Sequence, residues 1–288
     1  MILQKEIVSI AESKKVSKST IDKDWALGHF LDAIYAIPEL RNVLIFKGGT
    51  CLKKCYFPDY RFSEDLDFTS PDNKFKLSNT HLKRICDYVG THAQIATHIH
   101  SLNPLIFENT LVGYEAIIKF WGADHPRNEA PPSHERWQTK IKLEIILYEL
   151  LIFSSETKMV LHSYSDKLSV SSNAIPCYSI NEILAEKIRA LIQRSYIAPR
   201  DFYDIWYITK NYKKLDYNDI VAAFHKKLKF KNHTFHGIGQ LINPDNDKAL
   251  KSAWLNSLAH QIPSSQLPEY NIVKNELLKS SITHNTIN

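Results

Sequence analysis

Two aspartates, two residues apart, follow closely behind two adjacent glycines. The stretch 43–68 reads VLIFKGGTCLKKCYFPDYRFSEDLDF and contains both pairs. If Asp65-Leu66-Asp67 is a strand, its alternation puts both carboxylates on one face. Carboxylates held together raise each other's pKa unless a cation lies between them. Mg²⁺ takes hard oxygen ligands, usually one or two carboxylates plus phosphate oxygens. Gly48 and Gly49, flanked by Lys47 and Thr50, supply a turn whose backbone N–H groups can approach a phosphate, and Thr50 adds a hydroxyl. Each motif alone is weak. Gly-Gly-Thr is first a turn, neither a P-loop nor a GxGxxG fingerprint, and a lone Asp-x-Asp is first an acidic strand end. Their short separation, with apolar Leu66 and Phe68 around the aspartates, favours metal-assisted chemistry on a nucleoside triphosphate, that is, nucleotidyl transfer.

Glu144 is the candidate third carboxylate. Over residues 140–147, Ile141, Leu143, Ile145 and Leu147 share one face, and Lys140, Lys142 and Glu144 the other. Two readings stand level: Glu144 completes a one- or two-metal clamp with Asp65 and Asp67, or it pairs with Lys140 or Lys142.

A second dense region, residues 181–206, reads NEILAEKIRALIQRSYIAPRDFYDIW. Asn181 is the expected N-cap and Glu182 the first-turn acid. Ile183, Leu184, Ile188, Leu191 and Ile192 form an apolar stripe. Lys187 and Arg194 share a helix face, and Pro199 ends the helix just before Asp201 and Asp204. This gathers Lys187, Arg189, Arg194, Arg200, Asp201 and Asp204. On periodicity alone the favoured reading is a solvated face of weak ion pairs such as Glu186–Arg189.

The surrounding elements follow from pattern. Residues 1–37 read as helical up to Pro38, with Ser17 or Ser19 as a cap. Strands are expected at 43–46, 65–68, 95–100, 116–120 and from 140. Helices are expected at 50–56 and 77–89, and residues 121–133 read as a loop. A turn-rich stretch ends at Pro176, and beyond 180 helical spacing dominates. The 288 residues are 44% hydrophobic and 23% charged, the balance of a folded protein. Only 8 are glycine, so two adjacent ones mark a need for backbone freedom. The net charge of +5 is compatible with a polyanionic partner, and the densest basic run is 226–231, beside Phe224 and Phe230. Cys51, Cys55, Cys86 and Cys177 form no CxxC pair and read as free thiols of a reducing cytosol. His98 and His100 share a strand face but lack further metal ligands nearby. The N-terminus MILQKEIVSIAESKK does not read as a signal peptide. No run approaches the ~18 apolar residues of a membrane span.

KGGT-x-L at 47–52 and R-x-S-x-D-L-D at 61–67 resemble the AbiEii/AbiGii toxin family of nucleotidyltransferases, found in bacterial toxin–antitoxin and phage-abortive systems. AEKIRAL…R…PRDFYDIW at 185–206 resembles the family's other signature, and Lys-x-Glu at 142–144 its weaker middle motif. About the last eighty residues resemble nothing further. The resemblance implies an α+β architecture. A polymerase-β-like nucleotidyltransferase domain, a mixed sheet flanked by helices, would occupy residues 1–177, and a helical domain 178–288. It also implies a Mg²⁺- or Mn²⁺-dependent cytoplasmic enzyme, using a nucleoside triphosphate and an RNA acceptor, which is tRNA in some relatives, with a cognate antitoxin. Carried over by position, Lys47, Gly48, Gly49, Thr50 and Ser63 would hold the triphosphate. Asp65, Asp67 and Glu144 would hold metal. Lys187 would contact phosphate, Asp204 or Asp201 would support catalysis or the acceptor, and Arg194 and Arg200 would bind substrate. Two alternatives remain: a small-molecule or protein acceptor, and a scaffold that binds nucleotide or RNA without turnover.

Overall fold

Ser17 opens the first long helix by accepting a hydrogen bond from the Thr20 N–H, which satisfies a donor that the helix cannot. Helix α2 (Lys18–Ala36) is buried along most of its length and ends at Ile37, because the residue before Pro38 is pushed out of the helical region. It follows α1 (Gln4–Lys14) and precedes the short α3 (Pro38–Arg41). The computed structural model describes residues 1–126, 128–169, 174–194, 198–263 and 265–280.

Then come β1 (Ile45–Lys47), α4 (Gly48–Cys51), which continues as a π-helical turn over Leu52–Tyr56, and β2 (Asp65–Thr69). Helix α5 (Asn79–Ala93) starts from a reciprocal cap between Ser78 and His81. A long hairpin, β3 (Ala96–Phe107) and β4 (Thr110–Trp121), turns at Glu108 and Asn109, both at positive φ. It is roughly twice the length that apolar runs alone suggest, because its outer half is half-exposed and polar residues pair there as readily as apolar ones. β5 (Lys140–Ile146), β6 (Glu156–Lys158) and β7 (Ile175–Cys177) complete the sheet. The last two lie where the sequence reads only as turns: β7 contains Pro176, and it pairs through its flanking residues, with Tyr178 N–H donating to the Phe46 carbonyl just beyond.

The strands form one mixed sheet in the order β3-β4-β5-β2-β1-β7-β6. β2 runs parallel to β5 and antiparallel to β1, and β1 runs parallel to β7. One face is apolar: Phe46, Leu66, Phe68, Ala116, Ile118, Phe120, Ile141, Leu143 and Ile145 are all buried, and α2 packs against β2 and β5. Burying a side chain of this size contributes about 1.5–3 kcal/mol, so this face sets the register. The opposite alternation, with Asp65, Asp67, Glu115, Lys142 and Glu144, stays half-exposed.

This sheet unit comprises Met1–Glu149 and Ser155–Tyr178; the second unit comprises Leu150–Ser154 and Ser179–Asn288. Its helices are α6 (Ile180–Gln193), α7 (Pro199–Asn211), α8 (Tyr217–Phe230), α9 (Pro244–Leu258) and α10 (Tyr270–Leu278). Ser179, not Asn181, caps α6: its hydroxyl accepts from the Glu182 N–H at 3.2 Å, and Asn181 falls inside the first turn. Glu182 is the first-turn acid of α6, as expected. It is buried, accepts the N–H groups of Ile152 and Phe153, and lies 2.5 Å from Lys227 Nζ. Lys227 is fully buried and also donates to the Leu150 carbonyl. The basic run 226–231 therefore loses one lysine to the core, because its helix turns that position inward between Phe224 and Leu228.

Candidate active site

The site starts where β1 ends. At Gly48 the backbone takes a φ of 80°, a left-handed conformation that favours glycine. A Cβ built there would overlap Asp67 Oδ2 and stand 3.1 Å from Asp67 Cγ. A Cβ on Gly49 would stand 2.7 Å from Arg61 Nη2 and 3.2 Å from Ser63 Oγ. The first glycine thus admits the turn and the Asp67 carboxylate, and the second admits the buried Arg61 guanidinium, which donates to the Phe62 carbonyl. Thr50 is buried; its hydroxyl donates to the Asp65 carbonyl and lies 2.8 Å from Ser63 Oγ. Thr50 therefore ties the glycine turn to the start of β2.

Strand register assembles the carboxylates. Asp67 sits opposite Lys47 on β1 and opposite Glu144 on β5, while Asp65 sits opposite Lys142. Glu144 is in turn opposite Glu115 on β4. Residues at matching positions point to the same side of a sheet, so Asp65, Asp67, Glu144 and Glu115 share one face with Lys47 and Lys142. Lys142 Nζ lies 3.3 Å from Glu144 Oε2 and 3.9 Å from Asp65 Oδ2. Both sequence readings of Glu144 are thus present at once: it pairs with Lys142 and stands beside Asp67.

The electrostatics describe a face that is short of positive charge. Burial, followed by the charges of Glu144 and Asp65, pushes Asp67 up to about 6 against the pull of Lys47 and Lys142. Burial also raises Asp65, although Lys142 and Lys23 oppose the shift. Burial works to lower Lys142, yet the three carboxylates outweigh it and hold its ammonium above the ordinary lysine value. A donor set made only of carboxylate oxygens fits a hard divalent cation; Asp65, Asp67 and Glu144 could hold one. Among the described residues, the sets of His, Cys, Asp and Glu with all ligand atoms within 4.8 Å lie elsewhere, at Cys51–Cys55–Cys177 and His29–His162–Asp166. His98 stacks on His134 at 3.5 Å between ring centroids and belongs to neither set.

In the helical unit, Lys187 Nζ lies 2.6 Å from Asp201 Oδ1 and 2.8 Å from Asp204 Oδ2, and Arg194 also pairs with Asp201. Asp201 and Asp204 are buried, as is Arg189. A solvated charged face is therefore the wrong description: α6 and α7 meet over two carboxylates that need cations once removed from water. The Glu186–Arg189 pair does form, at 3.7 Å. Arg200 stands apart, exposed and 3.3 Å from His260 Nε2. Glu115, Lys142 and Arg61 were not singled out as site residues by sequence reasoning. For Glu115, the alternation of β4 gives its face but not the identity of its neighbour, and only the β4–β5 pairing supplies that.

A family model described as nucleotidyl transferase AbiEii toxin, type IV toxin–antitoxin system, matches residues 29–275. No curated protein matches the sequence. Among solved structures, MenT4, a nucleotidyltransferase toxin of Mycobacterium tuberculosis H37Rv, is similar with a TM-score of 0.62 and 16% identity, over 99% of this chain and 89% of its own. JHP933 from Helicobacter pylori is similar with a TM-score of 0.55 and 17% identity, over 91% of this chain and 90% of its own. At these identities the likeness establishes the fold, and it agrees with the mixed sheet flanked and followed by helices. The family match, which spans most of the chain and both of its units, establishes the rest: the chain belongs to the AbiEii family of nucleotidyltransferase toxins of type IV toxin–antitoxin systems.

Proposed function

We propose that this nucleotidyltransferase moves a nucleotide from a nucleoside triphosphate to a hydroxyl of RNA, with tRNA as the acceptor, and that it requires Mg²⁺ or Mn²⁺. The observation that carries this reading is the register that sets Asp65, Asp67 and Glu144 on one half-exposed sheet face beside the Gly48–Gly49 turn. An acceptor oxygen attacks the α-phosphorus, the bond to the α,β-bridging oxygen breaks, and pyrophosphate leaves; the acceptor's proton passes to a carboxylate. When bound, the metal neutralises phosphate charge and orients the triphosphate. Lys47 and the N–H groups after Gly48 hold the phosphates, while Thr50 and Ser63 keep the turn against β2. In the helical unit, Lys187 serves the phosphates, Asp204 and Asp201 fix its ammonium, and Arg194 and Arg200 serve the acceptor. Residues 1–177 act as the nucleotidyltransferase domain and 178–288 as the helical domain. Among the described residues no helix is long and apolar enough to cross a membrane, and the reading places the enzyme in the cytoplasm, opposed by an antitoxin and serving growth arrest or phage defence.

Each of the four labelled nucleoside triphosphates, incubated with the protein, bulk RNA and Mg²⁺, tests this. Label appears in the tRNA fraction, is abolished by a chelator, and is lost in Asp65→Ala/Asp67→Ala at unchanged circular dichroism. Full activity in that double variant refutes the site. Label moving to protein or to a small molecule refutes the RNA acceptor, and label bound without transfer makes the chain a binding scaffold. Binding of tRNA also weakens steeply with salt, through counterion release.

A further inference from the structure

Three of the four cysteines lie together, and nothing in the transfer chemistry uses them. Cys51 is the last residue of α4, Cys55 lies one wide π-helical turn later, and Cys177 is on β7, paired with Phe46 of β1. All three are buried and none is in a disulfide. Their sulfurs lie within 4.8 Å of one another. Three sulfurs bound about 2.3 Å from a shared cation stand roughly 3.7–4 Å apart, so small side-chain adjustments bring this trio onto one ion. The chain segments are already placed: a sheet pairing and a helical turn hold all three positions.

We propose that Cys51, Cys55 and Cys177 form a thiolate site for a soft cation, Zn²⁺ or Cu⁺, distinct from the carboxylate face. The hardness of the donors separates the two: thiolates select soft ions, and carboxylates select Mg²⁺ or Mn²⁺. The Tyr56 hydroxyl lies 3.7 Å from the Cys177 sulfur. Entry of Zn²⁺ forms three Zn–S bonds and releases the three thiol protons, leaving a net single negative charge near Lys158, whose ammonium lies 5.0 Å from the Tyr56 ring centre. The bound ion would clamp α4 and its π turn to β7. Cys51 follows Thr50 directly, so the clamp would brace the glycine turn from behind.

The test uses the full chain, reduced under anaerobic conditions and stripped with a chelator. Co²⁺ serves as a probe, because sulfur ligation gives an intense charge-transfer band in the near ultraviolet and carboxylate ligation does not. We expect that band to saturate at one equivalent, to persist in excess Mg²⁺, to be displaced by Zn²⁺, and to survive in Cys86→Ser. A Cu⁺ titration against a chromophoric chelator forms the second arm; retention of either ion supports the site and identifies the metal. With ion bound, native thiol titration finds Cys86 alone reactive. Cys177→Ser loses the band and the bound equivalent; if it does not fold by circular dichroism, Cys55→Ala takes its place. Wild-type protein that takes up neither ion, or a band unchanged in folded Cys177→Ser or Cys55→Ala, overturns the proposal.

Discussion

The substitution Gly48→Ala separates two effects that coincide at one residue. Gly48 has a φ of 80°, and its missing Cβ leaves room for Asp67 Oδ2. An alanine in the left-handed region costs about 1–2 kcal/mol, which at this chain length lowers Tm by about 2–8 °C. The added methyl also drives the Asp67 carboxylate away from its position between Lys47 and Glu144. Displacing a catalytic group by about 1 Å costs on the order of 100-fold in rate, equal to about 2.7 kcal/mol in barrier. Gly237→Ala supplies the control: its φ is 112°, and a Cβ there meets no atom within 4 Å. Both variants are expected to lose similar thermal stability, and only Gly48→Ala is expected to lose transfer. Thermal melts and initial rates with labelled triphosphate at saturation measure the two losses. A Gly48→Ala enzyme within about threefold of wild type, or a Gly237→Ala enzyme that slows equally, would show that the approach of the turn to Asp67 plays no part in the chemistry.

The remaining predictions concern charge in the two units. Asp67 has a folded pKa of about 6 against an ordinary 3.8; the stability from such a raised group is complete below the unfolded value and is lost as pH rises through the folded one. With chelator present, Asp67→Asn should therefore match wild type near pH 4 and exceed it above about pH 7, by on the order of 2–3 kcal/mol. Denaturant melts across that range measure the gap, and a pH-independent gap refutes the assignment. In the helical unit, Lys227→Met leaves Glu182 as a buried, unpaired charge and should cost about 3–5 kcal/mol. Adding Glu182→Gln should recover part of that loss, because the amide oxygen still accepts from Ile152 and Phe153. A single variant as stable as wild type would mean that the pair is not desolvated.

The turn and the strand that carry the candidate site were legible in the sequence because their motifs are local. Gly48-Gly49-Thr50 and Asp65-x-Asp67 each need only a turn or one strand's alternation, and both stand where they were expected. The α+β fold followed from apolar periodicity and from the family signatures. What local pattern could not supply was partnership between distant segments. Glu144 lies beside Asp67 because β5 pairs in parallel with β2, 77 positions away in the register, and Glu115 joins that face only through β4. The ion pairs of Lys187 with Asp201 and Asp204 looked like a solvated face, since helical spacing reports which residues share a side and not whether that side is covered. Lys227 looked like part of a basic patch for the same reason. Cys51 and Cys55 gave no metal spacing by themselves; Cys177 reaches them only because β7 lies against β1. Short-range backbone preferences act within a few residues and can be read directly from the chain. Side-chain partnership depends on which buried faces pair, and that is decided by the packing of the whole sheet and helix assembly.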